Sequence, residues 1–180
     1  MDAMCVDFIN SEFRDFRGRW VRDDLQQPGW LERFLKRWKL VVDSPADEAT
    51  IKELIVLRAL LRRAIEELAA GQVSDNNLAA LNTIMLKAPV ARQLAREGEE
   101  YRLELVPPGK DWNWVQAEIA ASFAALLTNY DPRRLKICQN PHCLGIFYDE
   151  SKSRTQRYCT PDKCGNLMKA RRFRIRHKHT

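Results

Sequence analysis

Four of the five cysteines lie in the last third of the sequence, in two close pairs. Cys138 and Cys143 form the first pair and Cys159 and Cys164 the second, with four residues inside each pair and fifteen between the pairs. This spacing is typical of a four-thiolate zinc site, because two short turns joined by a loop can converge on one tetrahedral ion. We therefore predict one structural zinc ion per chain, whose binding folds a segment too small to be stabilised by its own core.

Two disulfides or an iron centre would use the same four thiols. The N-terminus has no basic segment followed by an apolar one, so we expect no secretory signal and a reducing, cytoplasmic location, which favours zinc.

Cys5 stands alone in an apolar stretch, which predicts a buried, inert thiol. His142 directly precedes Cys143, and adjacent residues rarely reach one metal. We expect His142 at the surface or beside the ligands rather than on the ion.

The charge is concentrated in the same region as the cysteines. Residues 1–130 carry 17 basic and 20 acidic side chains, a net −3, whereas residues 131–180 carry 13 basic and 4 acidic ones, a net +9. Such asymmetry indicates an anionic partner, with nucleic acid the first candidate and an anionic membrane the second. The alternative is a solvated tail that only aids solubility.

Two groups of basic residues are candidates for contact with nucleic acid. The loop between the cysteine pairs mixes Lys152, Arg154 and Arg157 with serine and threonine, which is suited to phosphate contacts. A final helix adds six more basic residues: Lys169, Arg171, Arg172, Arg174, Arg176 and Lys178. At about 100° per residue these point almost all round the axis. We therefore expect this helix to project from the rest of the protein.

The 180-residue chain is 45% hydrophobic and 30% charged, which is typical of a globular protein. No run of 18 apolar residues is present, so no membrane-spanning helix is expected. Hydrophobic spacing and capping residues predict a mostly helical body. Its expected elements are helices at about 3–15 and 30–38, one from the Ser44-Pro45 start to Gly71, one from Ser74 to before Pro89, a hairpin within 90–106, and a helix that Asp111 caps and that runs to about Thr128.

Asp131-Pro132 marks the expected boundary between this body, residues 1–130, and a zinc module, residues 131–180. Short strands are predicted at Leu135–Ile137 and Ile146–Tyr148 on either side of the first cysteine pair, and a last helix follows Cys164. The predicted fold is thus mainly α, with a treble-clef or zinc-ribbon-like module that ends in a basic helix. The short connection favours packing of the module against the body.

The motifs around the cysteines resemble the CGNR zinc finger family. The matching residues are Cys138-Gln-Asn-Pro-His-Cys143, Phe147-Tyr148-Asp149-Glu-Ser151, Arg157-Tyr158-Cys159 and Cys164-Gly165-Asn166. Near the N-terminus, Cys5-Val-Asp-Phe-Ile-Asn10 is similar to the opening of the ABATE domain, the usual companion of this finger. Leu167 stands where the family signature has arginine, so Lys169 or Arg171 would have to take over any role of that arginine.

The resemblance implies a stress-related bacterial transcription regulator that binds DNA, with the ABATE body as its sensing part. Asp7 and Asn10 are neighbours on one helix face and, with Arg19, are candidates for an effector pocket, although local backbone hydrogen bonding is the alternative role. The competing hypothesis is an adaptor that binds a protein or structured RNA. We expect no catalysis, because four thiolates leave zinc no open position. A homodimer is the expected assembly of such a regulator.

Overall fold

A computed structural model describes residues 2–107 and 109–177. Lys178, which the sequence places on the last helix, lies outside these residues. Within them the helices are α1 Met4–Ile9, α2 Trp30–Trp38, α3 Glu48–Ala70, α4 Asp75–Leu86, α5 Trp112–Asn129 and α6 Asn166–His177. Three antiparallel strand pairs are formed by β1 Glu12–Arg14 with β2 Val21–Asp23, β3 Ala91–Glu97 with β4 Glu100–Val106, and β5 Leu135–Ile137 with β6 Ile146–Tyr148.

The helical core is built around α3 and α5. Helix α3 contacts α1, α4 and α5, and its apolar residues recur at helical spacing on the buried side. The fully buried side chains at the centre of this core include Phe8, Ile9, Leu54, Leu57, Leu61, Ile65, Ile119 and Phe123. The predicted mainly helical architecture is therefore confirmed. No helix in the described part of the chain is both long and apolar enough to cross a membrane.

Side chains at the helix starts fix where the long helices begin. The N-cap side chain accepts a hydrogen bond from a backbone N–H three residues later in each of three helices: Asp47 in α3, Ser74 in α4 and Asp111 in α5. The start predicted at Ser44 is wrong by three residues, because Asp47 provides the cap. The backbone oxygen of Ser44 instead accepts a hydrogen bond from the indole of Trp112 at 3.1 Å.

The helix predicted over residues 3–15 is much shorter, because α1 ends at Ile9. The two polar residues that follow it leave the helix for tertiary partners. Asn10 bonds to the backbone of Ile146, and the hydroxyl of Ser11 accepts from Arg58 at 3.0 Å. The chain then pairs β1 with β2, with Phe13 opposite Arg22, a hairpin that the sequence did not predict.

The hairpin predicted within residues 90–106 is present as β3 and β4. Ala91 lies opposite Val106 and Glu97 opposite Glu100, and Gly98 forms the turn in the left-handed conformation. The predicted pair β5–β6 is also confirmed and forms the first part of the zinc module. Strand β5 contacts α3 and β6 contacts α1, so this module packs against the helical body as expected.

Candidate metal centre and nucleic-acid interface

The fold brings the four predicted metal ligands together. Cys138 follows β5, Cys143 lies in the turn before β6, Cys159 follows the long loop, and Cys164 lies in the turn before α6. Their Sγ atoms all lie within 4.8 Å of one another. Sulfurs bound tetrahedrally to zinc at about 2.3 Å stand about 3.8 Å apart. The observed separations of 3.6 Å between Cys143 and Cys159 and 3.8 Å between Cys159 and Cys164 fit one ion.

Polar groups support the sulfurs from outside. The backbone N–H of Cys159 donates to the Sγ of Cys138 at 3.5 Å, and the side-chain amide of Asn140 donates to the Sγ of Cys164 at 3.3 Å. Donors of this kind offset part of the negative charge, about −2, of a four-thiolate zinc centre. Asn140 is itself fully buried, so its amide is held in place beside the ligands.

The clustering shifts the pKa values of Cys143 and Cys159 in opposite directions. Hydrogen bonds from Cys138 and Cys143 lower the pKa of the Cys159 thiol. Hydrogen bonds to Cys138 and Cys159, together with burial, raise the pKa of Cys143. Because zinc binds thiolates, binding of zinc at this site releases the protons that the cysteine thiols share.

His142 and Cys5 are not part of the cysteine cluster. His142 is exposed and its backbone N–H donates to the side-chain oxygen of Asn140, whereas its ring does not join the cysteine cluster in the described residues. Cys5 is fully buried in the helical core, and burial raises the pKa of its thiol to about 11. The predicted burial of Cys5 is confirmed, and the inertness of its thiol stays a prediction.

A buried carboxylate organises the loop between the cysteine pairs, and the sequence analysis gave it no role. Asp149 is fully buried and accepts hydrogen bonds from Lys136 Nζ at 2.6 Å, from Ser151 and from the backbone of Gln156 at 3.0 Å. Burial alone would raise the pKa of Asp149, but these donors outweigh burial and hold the pKa well below its usual value. The aromatic-x-Asp-x-Ser motif was the sequence signal for this role, because its Asp and Ser are hydrogen-bonded to each other.

Among the described residues, polar contacts at three places join the helical body to the zinc module. The side-chain amide of Asn140 donates to the backbone oxygen of Phe16 at 2.7 Å, Arg62 donates to the backbone oxygen of Leu144 at 3.1 Å, and Asn10 bonds to Ile146. Gly145 lies between this contact and the metal ligands, because a Cβ there would lie 3.8 Å from the Asn10 side-chain oxygen and 3.3 Å from the Cys143 sulfur. The metal centre and the first helix therefore share one interface.

The three residues proposed for an effector pocket face different partners. Asp7 accepts from the Trp38 indole at 2.9 Å, Asn10 bonds to the backbone of Ile146, and Arg19 pairs with Asp15 at 2.7 Å. The structure does not bring them together. Asn10 does not share a helix face with Asp7, because α1 ends before Asn10.

The basic residues of the loop differ in their surroundings. Lys152 and Arg157 are exposed and make no ion pair within the described chain, whereas Arg154 pairs with Asp131 at 3.0 Å. The positive φ of 56° at Arg154 belongs to the tight turn that delivers its backbone oxygen to Lys136. In the described part of this loop, the charged groups of Lys152 and Arg157 are therefore not engaged in ion pairs.

The last helix presents three of its cations along one groove. No residue of α6 is buried in the described part of the chain, as expected for a projecting helix. Lys169, Arg174 and Arg176 line a groove of about 340 Å³ together with Phe173. Arg172 is exposed and donates to the backbone oxygen of Met168.

The opposite side of α6 is partly covered. Leu167 is half-buried, at the position where the resemblance expects arginine, and Arg171 is half-buried against the Met168 sulfur at 3.9 Å. Of the two residues that could replace the signature arginine, Lys169 is exposed and lies on the groove, whereas Arg171 is half-buried and does not line it.

Comparison with known families agrees with this geometry. Residues 2–130 match the ABATE family, described as a "putative stress-induced transcription regulator", and residues 134–177 match the CGNR zinc finger. No curated protein matches the chain significantly. The first match spans well over half of the chain, and the second contains all four clustered cysteines. The chain therefore belongs to the ABATE family and carries, after that domain, a CGNR zinc finger whose four cysteines fit a single structural zinc ion.

Proposed function

We propose that this protein is a zinc-containing transcriptional regulator that binds duplex DNA through α6 and the loop before it. The groove on α6 is the observation that carries the proposal. It places Lys169, Arg174 and Arg176 on one exposed face of a helix that contains no acidic residue. Such a face matches the spaced negative charge of a phosphate backbone.

The zinc centre serves this surface by fixing the start of α6. Cys164 lies in the turn Pro161–Gly165 that leads directly into the helix, so the metal anchors the helix at its first turn. Lys152 and Arg157 extend the basic surface into the preceding loop. Arg154 contributes through its ion pair with Asp131, which orders that loop.

The proposed working units are the ABATE-like body, residues 1–130, and the zinc finger, residues 131–180. The body would sense a small-molecule effector and the finger would contact DNA, in the cytoplasm and as a homodimer on paired half-sites. Catalysis has no place in this proposal, because four cysteine ligands close the coordination sphere of zinc.

Fluorescence anisotropy with labelled duplex DNA tests the proposal. Lys169, Arg174 and Arg176 are changed together to alanine in the zinc-loaded chain. We expect at least tenfold weaker binding at about 50 mM salt, and a salt dependence shallower by about one unit of log K per log salt for each lost phosphate contact. The control replaces Lys36, Lys87 and Lys110, which are exposed on the body, and removes the same charge.

An adaptor that binds a protein or structured RNA is the second candidate function. It is favoured by Phe173 and Ile175, apolar side chains that are 59% and 62% exposed on α6. Duplex binding that is lost in the groove variant and kept in the control supports the regulator. Equal loss in both variants, or no duplex binding at about 50 mM salt, contradicts it, and preference for structured RNA supports the adaptor.

A further inference from the structure

A second site lies in the helical body, far in sequence from the zinc finger. A cleft of about 410 Å³ opens between α2, the start of α3 and the start of α5. Its walls are mostly apolar and include Leu25, Leu31, Leu35, Val42, Ile51 and Trp112. Clefts of this size and composition bind drug-sized molecules. None of the residues that the sequence proposed for an effector pocket lines this cleft.

Charge in the cleft is restricted to one group. Glu32 is the single charged residue among the side chains that line it, and the polar Gln26 and Gln27 are neutral. Glu32 is exposed and forms no ion pair with any residue that the structure describes. The other described wall residues are uncharged. The Arg33 guanidinium lies at the rim, 3.2 Å from the position of a Gly29 Cβ, and forms no ion pair with Glu32.

Trp112 contributes an aromatic ring to the lining of the cleft. It is half-buried, and its indole N–H is already bonded to the backbone oxygen of Ser44. Tryptophan is the aromatic side chain best suited to attract cations. An apolar wall, one carboxylate without an ion pair and one indole ring together favour a ligand that is both apolar and positively charged.

Gly29 lies at the rim of the cleft beside both charged groups. It caps the start of α2 with a φ of 71°, and a Cβ there would lie 3.2 Å from the Arg33 guanidinium and 4.0 Å from the Glu32 carboxylate. A side chain at this position would crowd the Arg33 guanidinium. The backbone conformation also favours glycine, because L side chains rarely adopt it.

We propose that this cleft binds lipophilic cations, namely drug-sized aromatic or branched molecules that carry a single positive charge. The inference deepens the proposed function, since it names the chemical class of effector that the body would sense. Binding of the cation itself does not depend on DNA. Anions of equal size are disfavoured because Glu32, the charged group among the described lining residues, repels them.

Isothermal titration calorimetry of the full, zinc-loaded chain tests the proposal without DNA. The probes are tetraphenylphosphonium and tetraphenylborate, which have nearly the same size and shape and opposite charge. We expect saturable binding of the cation, with at least tenfold weaker binding of the anion. Glu32→Gln should weaken cation binding about fivefold, and Glu99→Gln, an exposed carboxylate on the distant hairpin turn, should leave it unchanged.

A second variant tests the location of the site. Ala46→Phe fills the cleft from the segment before α3 and should abolish binding of the cation, while circular dichroism and zinc content show that the fold is kept. Equal affinity for both ions, no binding of the cation, or binding that neither variant changes would each overturn the inference. If the chain binds the cation but not duplex DNA, only the DNA-binding proposal is contradicted. If it binds duplex DNA but not the cation, only the proposed cation site is contradicted.

Discussion

Asn10 pairs with Ile146 as a neighbouring strand residue would. Its side-chain amide donates to the Ile146 backbone oxygen at 2.8 Å, and its side-chain oxygen accepts from the Ile146 backbone N–H at 2.9 Å. Ile146 opens β6 and is only 2% exposed, so water cannot replace these bonds. One amide at the end of the first helix thus satisfies both backbone groups of a residue beside the metal ligands.

Replacing Asn10 with alanine should destabilise the protein by about 2–4 kcal/mol, because it leaves two buried backbone groups without partners. Urea denaturation monitored by circular dichroism measures the loss. Asn82→Ala removes the same amide from an exposed position on α4 and should cost less than about 0.5 kcal/mol. A cost at Asn10 as small as that at Asn82 would contradict the structural role of this pair.

Removal of the zinc ligands should unfold the module selectively. Strands β5 and β6 have three residues each and α6 buries none of its described residues, so the module has little core of its own and we expect it to depend on the metal. Metal analysis should give one zinc per chain in the native protein and none in Cys164→Ser. Cys5→Ala, in the helical core, should keep the full zinc content. Zinc retained by Cys164→Ser would contradict the four-cysteine site.

The metal ligands and most element types could be predicted because their signals are local. Cysteine spacing, the N-cap residues Ser74 and Asp111, and the alternation in β3 and β4 each act within a few residues, and all of these predictions agree with the structure. The zinc module was recognisable for the same reason, since its ligands and motifs lie within one short segment.

The misplaced features depend on contacts between distant segments. The apolar spacing near the N-terminus continues past Ile9, but Asn10 is drawn to a strand 136 residues away and Ser11 to Arg58, which ends the helix. Lys136 likewise carries no local signal for its role, which is to donate to the buried Asp149. Which basic residues are free can be decided only once their neighbours are known.

The ion pair between Arg58 and Asp23 should make stability depend on acid pH. Arg58 is 5% exposed and both of its terminal nitrogens donate to the Asp23 carboxylate at 2.6 Å. These bonds lower the pKa of Asp23 below its usual value. The pair therefore stabilises the fold fully above about pH 4 and loses this effect as pH falls through the lower pKa of the folded state.

Asp23→Asn should cost about 2–4 kcal/mol at neutral pH, because it leaves a buried guanidinium without its counter-charge. The difference in unfolding free energy between the native chain and the variant should shrink below about pH 4. Acid also releases zinc from both proteins. Comparing their unfolding free energies at the same pH removes this common effect. Asp75→Asn, at the exposed start of α4, serves as the matched control. A difference that stays constant with pH would show that the carboxylate does not stabilise the fold through its charge.

Asp149→Asn should weaken zinc binding although Asp149 is not a metal ligand. An amide cannot accept from Lys136, Ser151 and Gln156 together, so the loop that delivers Cys159 loses its buried anchor and a lysine charge is left without its partner. Zinc release to a chromogenic chelator should be about 10–100 times faster than in the native chain. Asp162→Asn is the control, because this carboxylate is exposed in the same module two residues from Cys164. Equal release rates in the two variants would assign Asp149 to packing alone, whereas a selective effect identifies it as the residue that holds the second cysteine pair in position.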